Sequence, residues 1–210
     1  MNPQGAYYQF SNFIIKDEIK TILELGARFG VDTLSLQNTF DADVVTFECN
    51  PDILENCKHI LSGNDRIQLV EKAAWSENTT IKFYPVTNGN IGASSAFKAN
   101  KKYPYESYEQ SIVEVDAVRL EDWWKENKDV NIDFICMDIQ GSELEALKGM
   151  GDLLMNVKYI ITECQYKRLY HDTPLVDDLD DYLTPFGFQC MEIRDANDWF
   201  GDAIFVNQKL

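Results

Sequence analysis

Apolar and polar positions along the chain follow two different periods. Runs such as Thr21-Ile22-Leu23-Glu24-Leu25, Val44-Val45-Thr46-Phe47, Ile67 to Val70, Ile132 to Met137 and Tyr159-Ile160-Ile161-Thr162 are almost continuously apolar, as strands buried on both faces are. Between them, apolar residues recur at helical spacing: Ile53, Cys57, Ile60 and Leu61, then Leu144 and Leu147, then Leu175, Leu179 and Leu183. Asn50 as N-cap and Pro51 at the first helical position open the first of these helices, and Gly63 ends it. Ser142 and Glu145 have the spacing of a capping box at the start of the second, and Gly149 suits its stop. Strand-like and helix-like segments therefore alternate, which predicts a mostly parallel sheet with helices on both faces. Phe188 to Ile193 and Ala203 to Val206 predict a closing antiparallel pair.

The connection from Trp75 to Asn131 is too long to be plain loop and must carry structure of its own. Thr80 to Tyr84 and Ser111 to Val115 have strand character, and Leu120 to Asn127 has helical character. The stretch between those strands, rich in glycine, asparagine and tyrosine, reads either as a loop over a substrate or as an excursion without a role.

Chemistry concentrates where the strand-like runs end. The first run stops at Gly26-Ala27-Arg28-Phe29-Gly30, where two glycines permit a sharp turn and the following helix start presents unpaired N–H groups to a ligand. The second run ends at Glu48, 18 positions after Gly30, near the ~20-residue spacing at which an acid meets a ribose diol. The turn lacks the G-x-G-x-x-G pattern that admits a pyrophosphate, which disfavours the alternative of a nicotinamide-dependent oxidoreductase. With Glu24 ahead of the turn, it resembles the S-adenosylmethionine loop of class I methyltransferases, in which Glu24 would lie under the methionine end. Asp138 and Glu163 close two further strands. Open α/β sheets bind ligands beyond the carboxyl ends of their strands, so Glu48, Asp138 and Glu163 are expected to share one crevice.

Composition narrows the partners. The chain of 210 residues, 45% of them apolar, suits one domain over 1–210; its start just before the first strand also fits a domain cut from a larger enzyme. A net charge of -16 opposes nucleic acid and anionic membrane surfaces and favours a neutral substrate. Five cysteines without a C-x-x-C pair argue for reduced thiols in a cytoplasmic protein, with Cys136 and Cys164 as packing residues. The N-terminus does not read as an export signal, and no apolar stretch approaches the ~20 residues of a membrane span.

The segment Asp133-Phe134-Ile135-Cys136-Met137-Asp138-Ile139-Gln140-Gly141-Ser142-Glu143-Leu144-Glu145-Ala146-Leu147-Lys148-Gly149 resembles the signature of FkbM-type methyltransferases. Glu24-Leu25-Gly26-Ala27, Phe47-Glu48-Cys49-Asn50-Pro51 and Gly201-Asp202-Ala203-Ile204-Phe205-Val206 extend the likeness from about Ile22 to Val206. The resemblance implies a Rossmann-like class I fold with a seven-stranded, mostly parallel sheet and a final antiparallel strand. It also implies S-adenosylmethionine as donor and a hydroxyl oxygen as acceptor. Carried over by position, Gly26, Ala27 and Gly30 form the cofactor turn, with Arg28 where asparagine is common. Glu48 holds the ribose, Ala73 and Ala74 border the adenine, and Asp138 faces the sulfonium. Gln140 replaces the usual glutamate.

Methyl transfer to an alcohol is an in-line displacement with the reacting atoms about 3 to 3.5 Å apart, and the alcohol needs a base. Asp138, Glu163 and His171 are the candidates; alternatively Asp138 and Glu163 hold Mg²⁺ or Mn²⁺, which would acidify the hydroxyl. The expected acceptor is a small-molecule or glycan hydroxyl on a sugar or related polyol, met by Tyr103, Tyr105, Tyr108, Ser94 and Ser95 of the long excursion. A polyketide-type hydroxyl is the alternative acceptor, and a catalytically silent binding module is the alternative to an enzyme.

Overall fold

A computed structural model describes residues 9–128 and 130–210. The chain runs β1 (Thr21–Leu25), α1 (Val31–Phe40), β2 (Asp43–Phe47), α2 (Pro51–Leu61), β3 (Ile67–Val70), β4 (Ala73–Trp75), β5 (Thr79–Phe83), β6 (Val86–Asn88), β7 (Glu109–Gln110), β8 (Val113–Arg119), α3 (Leu120–Asn127), β9 (Phe134–Met137), α4 (Glu143–Met150), β10 (Tyr159–Gln165), α5 (Val176–Leu183), β11 (Phe188–Asp195) and β12 (Phe200–Asn207).

Seven strands form the main sheet in the order β11-β12-β10-β9-β1-β2-β3. Strands β3, β2, β1, β9 and β10 are mutually parallel, and β12 inserts antiparallel between β10 and β11. The expected closing antiparallel pair is therefore present, longer than its apolar residues alone suggested. Side-chain alternation divides the core. Leu23, Leu25, Val45, Phe47, Ile135, Met137 and Ile160 pack on one face, with Leu147, Leu179 and Leu183 of α4 and α5. Ile22, Val44, Phe134, Cys136 and Ile161 face the other way, toward Leu36 and Phe40 of α1. Helices thus cover both faces, which is why the strands carry no polar alternation. Cys57, Cys136 and Cys164 are buried, as packing residues would be.

The long connection builds a second sheet, β4-β8-β5, and a β6–β7 ribbon before α3. Two local expectations need correction. Gly149 lies inside α4 rather than beyond it, and a Cβ there would come within 1.9 Å of the Trp75 carbonyl oxygen, so the glycine serves the close approach of α4 to β4. The start of α4 is not held by a Ser142–Glu145 box. Ser142 makes no side-chain cap bond. Glu145 instead accepts from Ser76 and Lys148, while Glu143 turns back to accept from the N–H groups of Ile139 and Gly141.

Candidate active site

The first loop beyond the sheet is built around backbone that only particular residues tolerate. Gly26 has φ 95° and Gly30, the N-cap of α1, has φ 80°. The N–H groups of Gly26 and Ala27 both donate to the Phe47 carbonyl, which ties the turn to the end of β2. Arg28 is also left-handed, at φ 52°. Its N–H donates to Glu48 Oε2 at 2.8 Å, while Glu48 Oε1 accepts from the N–H groups of Cys49 and Asn50 at 2.8 and 2.7 Å. Glu48 is thus a buried clamp between the two loops. Burial raises its pKa against these three bonds.

Glu24 lies beneath this turn, almost wholly buried. Its Oε2 accepts from Thr33 Oγ1 at 2.5 Å and Thr46 Oγ1 at 2.6 Å. Burial outweighs those bonds and pushes its pKa up to about 7. Glu24 Oε1 and Asn50 Nδ2 are buried without partners among the described residues. Unsatisfied buried polar atoms are uncommon in folded chains and call for a ligand or water. Here one acceptor and one donor border the same pair of loops. S-adenosylmethionine carries ammonium and hydroxyl donors as well as acceptor atoms, so these residues fit it.

Asp138, just past β9, meets Glu163, which does not close its strand as expected but lies inside β10, two residues before its end. Gln140 Nε2 donates to Asp138 Oδ1 at 2.5 Å and lies 3.3 Å from Glu163 Oε1. The Tyr170 hydroxyl lies 2.6 Å from Gln140 Oε1 and 3.1 Å from the Ala93 carbonyl, and Ser95 Oγ donates to the Gln140 carbonyl at 2.6 Å. Gln140, at φ 54°, is therefore held from both ends. Asp138 is exposed to solvent yet closely surrounded by protein, the situation of a group on a cleft floor. Its pKa is raised by those surroundings, against the Gln140 bond and the Arg28 charge. Glu163 is driven well above the ordinary range by burial and by the carboxyls of Asp138, Glu143 and Asp202. Asp202 faces Glu163 across the β10–β12 pairing, and burial pushes its pKa up to about 6.

The structure thus brings Asp138 and Glu163 together but not His171. His171 follows the bridge between Ala99 and Tyr170. Successive extended residues point to opposite sides, so Tyr170 turns in to Gln140 and His171 is exposed. Its backbone N–H donates to the Lys98 carbonyl. Ser95, expected to meet an acceptor, is fully buried beneath Gln140, and Ser94 Oγ donates to the Ile91 carbonyl and accepts from the Val86 N–H of β6. Ala73 and Ala74 are buried on β4, paired with Ala117 and Val118 of β8. Those two partners, with Lys72 and Trp123, help line a cavity of 340 Å³ that contains none of the strand-end acids. As a metal site the acid pair does not fit, because a cation bridging the two carboxylates would meet the amide hydrogens of Gln140. Sequence reasoning missed the bridging by Gln140, the inward Tyr170 and the clamp by Glu143; the replacement at position 140 was the one visible signal.

This fold, with its turn after β1, acid after β2 and exposed Asp138 after β9, is that of a Rossmann-like methyltransferase that uses S-adenosylmethionine. The methyltransferase FkbM domain matches residues 24–190, and the chain belongs to that family. It is 29% identical over 199 residues to 2-O-methyltransferase NoeI of Sinorhizobium fredii (strain NBRC 101917 / NGR234), covering 90% of this chain and 80% of that protein. Family and relative together support O-methylation as the class of reaction. Among solved structures, magnesium protoporphyrin IX methyltransferase (ChlM) from Synechocystis PCC 6803 with bound S-adenosylmethionine matches at TM-score 0.54 and 10% identity, over 98% of this chain and 79% of that one. The N-terminal domain of EvdMO1 with S-adenosylhomocysteine matches at TM-score 0.52 and 14% identity, over 98% and 79%. At these identities the likeness is one of fold.

Proposed function

We propose that the chain transfers a methyl group from S-adenosylmethionine to a hydroxyl of a sugar or related polyol, with Asp138 as the base. The observation that carries this reading is the asymmetric bond of Gln140, short to Asp138 and long to Glu163. Burial raises the pKa of both acids. The shorter Gln140 bond and the Arg28 charge oppose that rise at Asp138, while three neighbouring carboxyls add to it at Glu163, so of the two Asp138 ionises more readily. An ionised carboxylate on an open cleft floor can take the proton of an incoming hydroxyl. A protonated Glu163 beside it adds a donor for a second hydroxyl without a second negative charge.

The bound donor supplies an electrophilic methyl on a sulfonium. Gly26, Ala27, Arg28 and Gly30 shape its turn, Glu24 Oε1 accepts from its amino-acid end, Glu48 takes the ribose, and Ala73 and Ala74 border the adenine. The sugar reading is supported by the mouth beyond β10. Tyr103 lies edge-to-face with Tyr105 at 5.6 Å and with Trp199 at 5.4 Å, and near Tyr108 at 6.5 Å. Aromatic rings beside Asn197 and Asp198 offer C–H-binding faces and polar partners together, as a polyol requires. The name of the relative, a 2-O-methyltransferase, accords with this.

The test is methylation with labelled donor across glycosides, alditols and macrolide-like alcohols, followed by single-turnover kinetics of Asp138→Asn on the best acceptor. Methylation of glycosides, with turnover of the variant reduced about 100-fold or more and donor affinity nearly unchanged, is expected. Turnover confined to the hydrophobic alcohols would overturn the sugar assignment, and an unimpaired variant would remove Asp138 as base.

A further inference from the structure

The stretches 98–105 and 166–171 contain five of the chain's 19 lysines and arginines and none of its 35 aspartates and glutamates. The fold lays them side by side. Ala99 bridges Tyr170, the Asn100 N–H donates to the Leu169 carbonyl at 2.7 Å, and Asn100 Nδ2 donates to the Arg168 carbonyl at 2.9 Å. The N–H of His171 closes the pairing on the Lys98 carbonyl at 2.9 Å. Opposite residues of such a pair share a face, so Lys98 and His171 lie together on the outer side while Tyr170 faces inward.

Lys98, Lys101, Lys102, Lys167 and Arg168 are all exposed. Lys167 pairs with Asp198 at 2.6 Å and lies 5.3 Å from the Trp199 ring centre. The three lysines of the excursion have no carboxylate partner among the described residues. The carboxyls near this rim are Asp172, Asp195, Asp198 and Glu106 on the surface and Glu163, Asp138 and Glu143 below, with Asp195 and Asp198 bonded to Tyr166 and Lys167. The remaining negative charge of the molecule acts weakly here, because charges beyond about 10 Å are largely screened at 0.1 M salt. The rim is thus cationic at its Lys98, Lys101 and Lys102 end, on a strongly acidic protein. It is also one side chain from the chemistry, since Tyr170, flanked by Leu169 and His171, reaches Gln140 between the two acids.

We infer that this rim binds a phosphate group carried by the acceptor sugar, so that the acceptor is a sugar phosphate ester rather than a neutral glycoside. The inference rests on the sugar reading above. A phosphate offers several acceptor oxygens, and lysine and arginine bind it through charge-assisted hydrogen bonds. Tyr170 is buried and itself fills the path from the rim to Gln140, so the sugar would lie over the edge of this pair, with its phosphate on the lysines and its hydroxyl toward the exposed Asp138. A nucleoside diphosphate and a polyprenyl diphosphate present the same group.

The experiment compares methylation of hexose and deoxyhexose 1-phosphates, their uridine diphosphate esters and short polyprenyl diphosphate esters with that of the matching methyl glycosides, at about 0.05 M and about 0.5 M salt. It uses the full chain and the combined variant Lys98→Glu, Lys101→Glu and Lys102→Glu, with S-adenosylhomocysteine binding by calorimetry as the control for an intact donor site. A kcat/KM roughly tenfold or more above the neutral glycoside, lost at high salt and in the variant, supports the rim. Preference between the uridine and polyprenyl esters identifies the carrier. Equal kcat/KM for charged and neutral sugars, or an advantage the variant keeps, overturns the phosphate while leaving the sugar reading intact. Methylation of hydrophobic alcohols with no sugar accepted overturns both.

Discussion

The Cα of Gly26 lies so close to the carbonyl of Asp138 that a Cβ on Gly26 would stand 2.2 Å from that oxygen. The turn after β1 and Asp138 after β9 are therefore set against each other by the absence of one carbon. The left-handed φ of 95° adds a second reason for glycine. Gly26→Ala should destabilise the protein by about 2 to 4 kcal/mol through backbone strain and overlap, and should also weaken donor binding. Urea unfolding and calorimetry with S-adenosylhomocysteine measure the two effects. An alanine variant as stable as the parent would mean the two strand ends are not locked in this way.

Glu48, proposed to take the ribose, also holds protein. Its three backbone bonds tie Arg28, Cys49 and Asn50 into place, and one of them steadies a residue at positive φ. Glu48→Ala is therefore expected to lower the melting temperature as well as donor affinity. Glu48→Gln keeps the volume but sets an amide donor against N–H groups, and should weaken donor binding about tenfold or more, given ~1.5 to 3 kcal/mol for a charge-assisted bond. Donor affinity unchanged in both variants would confine Glu48 to a purely structural role.

The main sheet was readable in the sequence because strands buried on both faces must be almost wholly apolar, as Phe134 to Met137 is throughout and Ile22 to Leu25 is but for Glu24. Acids stood out against that background at Glu48 and Asp138, just past their strands, and at Glu163, which lies inside β10 instead of at its end. What escaped depends on contacts between residues far apart in the chain. Gln140 bridges two acids only because Tyr170 and Ser95 hold it. Gly149 looks like a helix stop until Trp75 is placed against it. His171 and Tyr170 were equally available as site residues by composition, and only the pairing of Ala99 with Tyr170 decides which turns inward.

Glu24 makes a prediction about pH. Its pKa rises from 4.5 to about 7 on folding, mainly through burial, so the folded protein binds this proton more tightly than the unfolded chain. The resulting stability is fully present below pH 4.5 and is lost as pH rises through about 7. A shift of this size corresponds to on the order of 3 kcal/mol. Glu143, also pushed up to about 7, and Asp202, pushed up to about 6, slope the same way. Without donor, stability should therefore fall between about pH 5 and pH 8, and Glu24→Gln should flatten part of that fall. If Glu24 Oε1 receives the ammonium of the donor, saturating S-adenosylhomocysteine should flatten it too, because the partner favours the ionised form. Denaturant unfolding of parent and variant across this range, with and without S-adenosylhomocysteine, makes the measurement. Parallel curves for parent and variant would show that Glu24 ionises alike in folded and unfolded chains. A slope that the variant flattens but S-adenosylhomocysteine leaves untouched would place the donor's amino group elsewhere.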